Sequence, residues 1–342
     1  MLNANQPAIW FPTIKANTGV DSFTIRLVDE LRQQGFRAEI TWLPHHAEYL
    51  PWLISDIKPP EWANIIHINS WLHPRFYQSF QLPVLVTCHG CVHDTALTPY
   101  KSLAQKIYHQ IWVKWLEKNA FLHSTKITAV SNYTAIMTKK AFGEFNIETI
   151  PNWLPDDAFV KFKNRDHPHH PFKLIYLGRL SSRKGSDLLP LIMQHLGSDF
   201  ELHYTQHLDD RHFFSEVPFN MKALNWGTTT EQIKIWLDQA DALVFPSRME
   251  GMPLAVLEAM ARGLPIICSD SASLPELVKN NFNGFLCSNE NINEYITAIK
   301  YIKNNRNIWK EMSKNSYNYS YNRFGSYQSI NKYINIYNNL IH

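Results

Sequence analysis

The sequence lacks the features that mark secreted, membrane-spanning and nucleic-acid-binding proteins. Its 342 residues include only four cysteines, and the N-terminal MLNANQPAIWF has no basic segment followed by a long apolar stretch. We therefore expect a reducing, cytoplasmic location rather than a disulfide-stabilised secreted fold. No run approaches the roughly 18 apolar residues of a membrane helix, which leaves peripheral membrane contact open. The net charge of +3 is too small to predict nucleic-acid binding by itself.

The sequence does contain enough apolar residues for two globular domains. Hydrophobic residues make up 45% of it and aromatic residues 13%, which is typical of a folded rather than a disordered chain. Short apolar segments alternate with amphipathic ones through the first half, which predicts a parallel α/β sheet. The predicted strands are 8–11, 38–43, 65–69, 84–88, 126–131 and 148–152, with helices at 20–35 and 101–123.

The same alternation begins again after a break. Residues 153–171 combine three prolines with charges and histidines, and strands are predicted beyond them at 173–180, 200–206, 242–247 and 265–270. Two consecutive α/β domains predict a ligand cleft between them. We expect an N-terminal domain over 1–155, a linker over 156–171 and a C-terminal domain over 172–322. The periodic aromatic residues after about 317 predict a final helix.

The most informative segment is 245–270, FPSRMEGMPLAVLEAMARGLPIICSD. Proline is favoured at the first position of a helix and glycine just past its end, so a helix is predicted from Pro253 to just before Gly263. Glu250 then lies in the loop before the helix, and Glu258 lies within the helix.

The predicted start of this helix is suited to an anion. The first N–H groups of a helix lack internal acceptors and carry the positive end of its dipole, which favours a phosphate or diphosphate at Leu254, Ala255 and Val256. Carboxylates repel phosphate, so the expected partners of Glu250 and Glu258 are neutral hydroxyls such as those of a sugar. The segment therefore predicts a site for a sugar nucleotide.

The longer pattern PS-x-x-EG-x-P-L-x-x-LEAMA-x-G-x-P-I resembles the nucleotide-sugar glycosyltransferases of family 4, which are retaining enzymes of GT-B architecture. The resemblance implies two Rossmann-like α/β domains facing across a cleft, with a C-terminal helix at about 323–342 crossing back to the N-terminal domain. It also implies that Glu250 contacts the donor sugar and Glu258 the ribose hydroxyls. The substrate-binding residues that it implies beside them are Gly251, Met252, Pro253, Leu254 and Ala255.

A second element is GRLSSRKG at 178–185, directly after a predicted strand. Loops at the carboxyl ends of parallel strands bind ligands, and Arg179 and Lys184 could neutralise a leaving diphosphate there. The element matches the G-R-x-x-x-x-K-G pattern of the family. A solvated basic loop is the alternative interpretation, and Arg183 is an additional cation without an assigned role.

The segment TCHGC at 87–91 has two interpretations. Cys88 and Cys91 form a C-x-x-C, which is redox-active in some folds and binds metal when further ligands accompany it. The family resemblance instead selects His89 and Gly90, with the histidine positioning the donor sugar near the bond that forms. We favour His89 as the functional residue and the cysteines as packed side chains.

Two further loops resemble the family in part. Residues 15–31 resemble its glycine loop, although relatives carry two adjacent glycines where this chain has Thr18 and Gly19. Gly19 could let the backbone approach the diphosphate, and a simple helix-entry turn is the alternative. The turn at Trp226 and Gly227 resembles the segment where relatives hold the nucleotide base.

Residues 101–140 are basic and aromatic. They contain seven lysines and a single acid, Glu117, with Trp112 and Trp115 among them. A positive face with aromatic anchors could contact an anionic bilayer, as the N-terminal domain does in several relatives. The alternative is a solvated face with the tryptophans in the core. No recognised nucleic-acid motif accompanies the charge.

The expected function is transfer of a sugar from a nucleotide-diphosphate donor to a hydroxyl of a glycan or lipid-linked glycan. Bacterial surface polysaccharide or lipopolysaccharide synthesis is the expected setting. The resemblance implies retention of configuration, and the absence of a D-x-D dyad favours a reaction that needs no metal or other cofactor. Two alternatives remain: a GT-B epimerase or phosphorylase acting on sugar nucleotides or glucans, and a catalytically silent GT-B partner in a polysaccharide assembly complex.

Overall fold

The computed structural model describes residues 6–159, 162, 165–225 and 229–341, which form two compact α/β units. One unit comprises the chain up to Pro155 together with the part from Ser326 onward, and the other extends from Asp156 to Gly325. Each unit contains a six-stranded sheet in which every described strand pair is parallel. Within these residues no helix is both long and apolar enough to cross a bilayer.

The first unit builds its sheet in the order β2-β1-β3-β4-β5-β6. Its strands are β1 Ala8–Ile14, β2 Arg37–Leu43, β3 Ile65–Asn69, β4 Val84–Cys88, β5 Lys126–Ala129 and β6 Ile147–Thr149. Its helices are α1 Gly19–Gln33, α2 Leu103–Tyr108, α3 Lys114–Leu122, α4 Asn132–Phe142 and, from the end of the chain, α11 Ser326–Ile341. The π-helical turn His109–Val113 joins α2 to α3.

The second unit builds its sheet in the order β12-β11-β10-β7-β8-β9. Its strands are β7 Phe172–Tyr176, β8 Phe200–Gln206, β9 Met221–Asn225, β10 Ala242–Phe245, β11 Ile266–Ser269 and β12 Gly284–Cys287. Its helices are α5 Leu189–Leu196, α6 Thr230–Asp238, α7 Leu254–Ala261, α8 Leu274–Leu277, α9 Ile292–Asn304 and α10 Arg306–Phe324. The strand order reverses between β7 and β10, and such a reversal opens a crevice at the carboxyl ends of the strands.

The sequence patterns found most of these elements but missed two strands. β9 and β12 lie at the two edges of the second sheet, and most side chains of β9 are exposed, so neither forms the apolar run that marks a central strand. The predicted helix at 253–262 begins at Leu254, with Pro253 as its extended N-cap, and ends at Ala261.

The aromatic residues near the end of the chain do not form one helical stripe. Gly325 separates α10 from α11, and these two helices belong to different units. Within the first unit, α11 buries Tyr333 and Tyr337 against the side of the sheet that α1 covers. Apolar packing and one polar contact anchor it, because the Tyr337 hydroxyl lies 2.7 Å from Nδ1 of His67.

The buried His67 on β3 makes the stability of the protein depend on pH. Its Nε2 lies 2.7 Å from the Thr87 hydroxyl, and burial together with the nearby His89 lowers the pKa of His67 to about 3. A histidine in the unfolded chain has a pKa of about 6.5. Below that pH the unfolded state binds a proton that the native state does not, and stability is lost.

Above about pH 6.5 we expect His67 to add no pH dependence to the free energy of unfolding. Between about pH 6.5 and about pH 3 this free energy should fall as the pH falls, by about 1.4 kcal/mol per pH unit for His67. Urea unfolding followed by tryptophan fluorescence at neutral and mildly acidic pH measures the slope. His67→Gln should reduce the slope, whereas His195→Gln, at an exposed position, should leave it unchanged. An unchanged slope in His67→Gln would contradict the assignment.

Candidate functional site

The second unit brings Lys184 and Glu250 into direct contact. Nζ of Lys184 lies 2.5 Å from Oε1 of Glu250, and the Ser247 hydroxyl donates to the same oxygen at 2.7 Å. Lys184 belongs to the loop after β7 and Glu250 to the loop after β10, so the pair lies where the strand order reverses. Both side chains are largely buried, with 19% and 8% of their surface exposed.

Burial changes the chemistry of the lysine. Removal from water lowers the pKa of Lys184, and the positive charge of Arg183 acts in the same direction, whereas Glu250 raises it. The contact with the carboxylate favours the charged ammonium group, which has three donor hydrogens. One of them is directed to Glu250, and among the contacts of the described residues no other acceptor is recorded for the group, which can therefore donate to an anion.

The loop that carries Lys184 depends on Gly185. This residue has a φ of +65°, a left-handed conformation that costs an ordinary residue about 1–2 kcal/mol. A Cβ atom built on it would lie 1.8 Å from the carbonyl oxygen of Pro246, which is far inside contact distance. The close approach lets the loops after β7 and β10 touch, so that Lys184 can reach Glu250.

The buried Arg248 also holds these loops together. Its guanidinium binds Asp187 through two bonds of 2.6 and 2.8 Å and Glu290 through two bonds of 2.5 and 2.7 Å. It donates in addition to the carbonyl oxygen of Ser182. Burial alone would lower the pKa of Arg248, but the two carboxylates raise it above its ordinary value. The group is therefore a fixed positive charge.

The start of α7 lies beside this pair in sequence and in the fold. Gly251, Met252 and Pro253 are buried, and Leu254 and Ala255 form the first, partly exposed turn of the helix. The amide groups of such a first turn point out of the helix end and suit an anion.

Two other predicted donor-site residues are accessible to solvent. Glu258 is partly exposed, one turn further along α7, and the Arg179 side chain is exposed on the loop after β7. The Arg179 backbone is held in place, because the buried Tyr176 hydroxyl donates to its carbonyl oxygen at 3.1 Å.

In the first unit, His89 follows β4 and is fixed by two neighbours. Its Nε2 lies 2.8 Å from Oδ1 of Asn69, the last residue of β3, and its ring packs edge-on against Phe23 at 4.6 Å. Burial lowers the pKa of His89 to about 3, so the ring is neutral at physiological pH. A neutral imidazole held in this way can orient a hydroxyl group. Gly90 follows it in the same partly buried loop.

The neighbouring thiols fit the packing interpretation rather than the redox one. Cys88 and Cys91 are both buried and both free. Burial raises the pKa of Cys91 to about 12, with a further contribution from Glu117, and raises that of Cys88 as well. Thiols with a raised pKa are poor nucleophiles. Among the residues described, no cluster of three histidines, cysteines or carboxylates could hold a metal ion.

The predicted glycine loop is built differently from the expectation. Gly19 is the first residue of α1, with Thr18 as its N-cap, and the left-handed residue of the loop is Asn17, with a φ of +55°. Asparagine tolerates that conformation better than most side chains. The backbone N–H of Asn17 donates to Oδ2 of Asp21 at 2.8 Å. The other predicted turn, Trp226 and Gly227, lies outside the described residues.

Sequence reasoning missed several residues that shape these sites. Arg248 and Asn69 carried no functional signal in the sequence, and Glu117 stood out only as the single acid of a basic segment. In the structure Glu117 is buried and binds the hydroxyl of Ser70, the indole of Trp71 and Nε2 of His93, which ties together the loops after β3 and β4. An isolated acid in a basic, apolar helix was the available signal.

Comparisons with known proteins identify the family of the chain. The family description "Glycosyl transferases group 1" matches residues 220–319, and "Glycosyltransferase Family 4" matches residues 36–158. The chain belongs to the group 1 glycosyltransferases. The predicted family is thus confirmed, and the two matches fall on different units.

Three curated relatives of this group 1 glycosyltransferase are bacterial proteins. A UDP-Gal:alpha-D-GlcNAc-diphosphoundecaprenol alpha-1,3-galactosyltransferase of Escherichia coli is 27% identical over 73% of this chain and 68% of its own length. An uncharacterized glycosyltransferase of Haemophilus influenzae is 27% identical over 56% of this chain and 55% of its own. The amylovoran biosynthesis glycosyltransferase AmsK of Erwinia amylovora is 32% identical over 36% of this chain and 34% of its own. The matches thus span about a third to two thirds of these relatives.

Solved structures confirm the predicted GT-B fold. A sucrose-phosphate synthase from Thermosynechococcus elongatus superposes with a TM-score of 0.79 over 98% of this chain and 99% of its own, at 16% identity. HepE of Anabaena, solved in complex with UDP and glucose, superposes with a TM-score of 0.74 over 97% and 99%, at 14% identity. At such identities the likeness concerns the fold.

Gly185→Ala tests whether the contact between the two loops is needed. We expect it to destabilise the protein by at least about 2 kcal/mol more than Gly35→Ala, because its methyl group would collide with the Pro246 carbonyl oxygen. Gly35 has a φ of +82° with nothing within 4 Å of its Cβ position. Gly35→Ala therefore measures the cost of the left-handed backbone conformation without a collision. Urea unfolding measures both variants. Equal losses would show that the loops can separate at little cost.

Proposed function

We propose that this protein transfers a sugar from a nucleotide-diphosphate donor to a hydroxyl of a glycan or lipid-linked glycan, in the synthesis of a bacterial surface polysaccharide or lipopolysaccharide. The observation that carries the proposal is the Lys184–Glu250 pair beside the start of α7. It combines a cation, a row of amide donors and a carboxylate in one place. A sugar diphosphate needs the first two for its phosphates and the third for its hydroxyls.

The contacts of Lys184 and Glu250 fit these two roles, phosphate binding and hydroxyl binding. Among the described contacts, Lys184 and Ser247 both bind Oε1 of Glu250, which leaves Oε2 for a sugar hydroxyl. The remaining hydrogens of the Lys184 ammonium group, with the first amides of α7 and the exposed Arg179, stabilise charge on the leaving diphosphate. Glu258, one turn along the helix, binds the ribose hydroxyls.

The reaction proceeds with retention of configuration in this proposal. The acceptor hydroxyl attacks the anomeric carbon from the side that the diphosphate leaves. The carbon–oxygen bond to the acceptor forms as the bond to phosphate breaks, the electron pair goes to the diphosphate, and a diphosphate oxygen takes the proton of the hydroxyl. This scheme needs no enzymic base, and the lysine, arginine and amide groups supply positive charge without a metal ion or other cofactor.

Substituting the two site residues tests the assignment. Lys184→Ala and Glu250→Ala should each lower the rate of nucleoside-diphosphate release by about 100-fold or more, because each removes a group fixed beside the reacting bond. Lys303→Ala is a matched control, since Lys303 forms an ion pair of 2.7 Å with Asp199 and is similarly exposed. Full turnover in both site variants would refute the site.

The nucleotide is identified by binding. A thermal-shift panel of UDP, GDP, ADP and CDP should give stabilisation by one nucleotide, and Lys184→Ala should weaken it, since a nucleotide that binds only the native state raises the melting temperature. No stabilisation by any of the four would refute the donor class. The relatives that act on or bind UDP compounds make UDP the first candidate.

We also propose that the protein works as a cytoplasmic enzyme bound peripherally to an anionic membrane through residues 101–140. The support is an apolar ridge that the first unit leaves uncovered. It consists of Leu103, Ile107, Ile111 and Trp115, of which 74, 52, 68 and 45% is exposed. α2 has no buried residue, so packing in the core does not account for its apolar side chains.

Other groups near the ridge fit a membrane partner. Trp52 and Leu53, 60 and 65% exposed, extend the apolar surface from a segment that Tyr108 and Trp112 anchor by hydrogen bonds to Glu48.

The charges beside the ridge are positive. Glu117, the only acid of 101–140, is buried, which leaves lysines as the outward charges. These include Lys106, Lys114 and Lys118, whereas Lys101, Lys126 and Lys139 have partners in the fold. Apolar side chains among lysines favour an anionic bilayer surface.

Vesicle co-sedimentation tests the ridge. Ile107→Ser with Ile111→Ser should weaken binding to phosphatidylcholine–phosphatidylglycerol vesicles by about tenfold or more while leaving the melting temperature unchanged, because both side chains are already in water. Phe219→Ser, at a 78% exposed position in the second unit, is the control. Vesicles of phosphatidylcholine alone should bind less. Absence of binding by the unmodified protein, or a change of oligomeric state in the variant, would contradict the proposal.

A further inference from the structure

One buried guanidinium joins three separate loops at the carboxyl end of the second sheet. The Arg248 side chain is 4% exposed, and it binds Asp187 from the loop after β7 and Glu290 from the loop after β12. Its own residue belongs to the loop after β10, and its backbone N–H donates to the carbonyl oxygen of Arg183 at 3.0 Å. Two bidentate carboxylate contacts on a single arginine form a rigid, directional junction.

This junction surrounds the ion pair of the site without being part of it. The two groups that it binds on the loop after β7, the Ser182 carbonyl and the Asp187 carboxylate, lie on either side of Lys184 in the chain. On the other loop, Glu250 follows Arg248 by two residues. The guanidinium therefore fixes the backbone from which both members of the pair extend.

The backbone of Glu290 provides a second, independent observation. It adopts a φ of +65°, an unusual conformation for a residue other than glycine, asparagine or aspartate. Such strain persists where the surrounding structure requires it, and it concentrates at functional sites. In this conformation both carboxylate oxygens of Glu290 reach the guanidinium, at 2.5 and 2.7 Å.

We infer that Arg248 is a positioning residue: together with Asp187 and Glu290 it sets the distance between Lys184 and Glu250, and thereby the geometry in which the donor diphosphate is bound. Its effect on turnover rests on the proposed function. Its effect on the ion pair does not, because the pair exists in the protein without any ligand.

A second arginine of the same unit provides a matched control. Arg262 is 8% exposed and binds both oxygens of Asp238, with one bond of 2.6 Å, but it lies at the far end of α7 from the ion pair. Both guanidinium groups are buried against partly exposed carboxylates, so removing either of them takes a counter-charge away from its partners and is destabilising. A purely structural role would therefore make Arg248→Met and Arg262→Met alike.

We expect Arg248→Met to lower kcat for nucleoside-diphosphate release by about 100-fold, since a displacement of about 1 Å at a reacting group has that effect, and Arg262→Met by no more than about threefold. Arg248→Lys keeps the charge but loses the two bidentate contacts, so its kcat should lie between those of Arg248→Met and the unmodified protein. The comparison is made at a temperature where thermal melts find each variant folded. Equal kcat values for the two methionine variants would overturn the inference.

A labelling experiment separates this inference from the proposed function. Acetic anhydride acylates the neutral amine of lysine, and mass spectrometry of the peptide that carries Lys184 gives its rate as a function of pH. Arg248→Met should increase labelling of Lys184 by several-fold at a given pH, because the loop opens, and Arg262→Met should match the unmodified protein. If the unmodified protein has no turnover but this difference is found, the positioning role stands and the proposed function fails. Equal labelling in both variants would overturn the inference.

Discussion

The structure depends most on the burial of two opposite charges, Lys184 and Glu250, where the second sheet reverses its strand order. Taking an ion pair out of water costs several kcal/mol per ion unless hydrogen bonds and other charges compensate for it. Here Ser247 supplies a donor, Gly185 permits the close approach, and Arg248 holds the surrounding backbone. A buried pair of this kind is weak evidence for stability, and the proposed donor site uses both of its charges.

The sequence predicted the parts of this arrangement that depend on local pattern. Alternating apolar segments predicted the two α/β units, and the resemblance of the segments 178–185 and 245–270 to family 4 implied the donor-site roles of Arg179, Lys184, Glu250 and Glu258. The network around Arg248 could not be predicted, because Asp187 and Glu290 lie 61 and 42 residues from it in the chain. The break at Gly325 was also missed, since the periodicity of aromatic residues continues across it.

The first unit uses the same principle on its own sheet. Loops that follow adjacent parallel strands are tied by polar side chains: Asn69 binds His89, and Glu117 joins the loops after β3 and β4. Glu117 is part of the continuous helical segment that also carries the apolar ridge. The apolar ridge and the buried carboxylate that ties the loops after β3 and β4 therefore lie on one continuous helical segment.

The central claim is that the loops carrying Lys184 and Glu250 bind the diphosphate of the donor. Hydrogen–deuterium exchange with and without a saturating nucleoside diphosphate measures this most directly, since amides that donate to phosphate exchange more slowly. The account predicts protection of peptides covering 182–187 and 248–256, and loss of that protection in Lys184→Ala. Protection confined to other parts of the chain would contradict it.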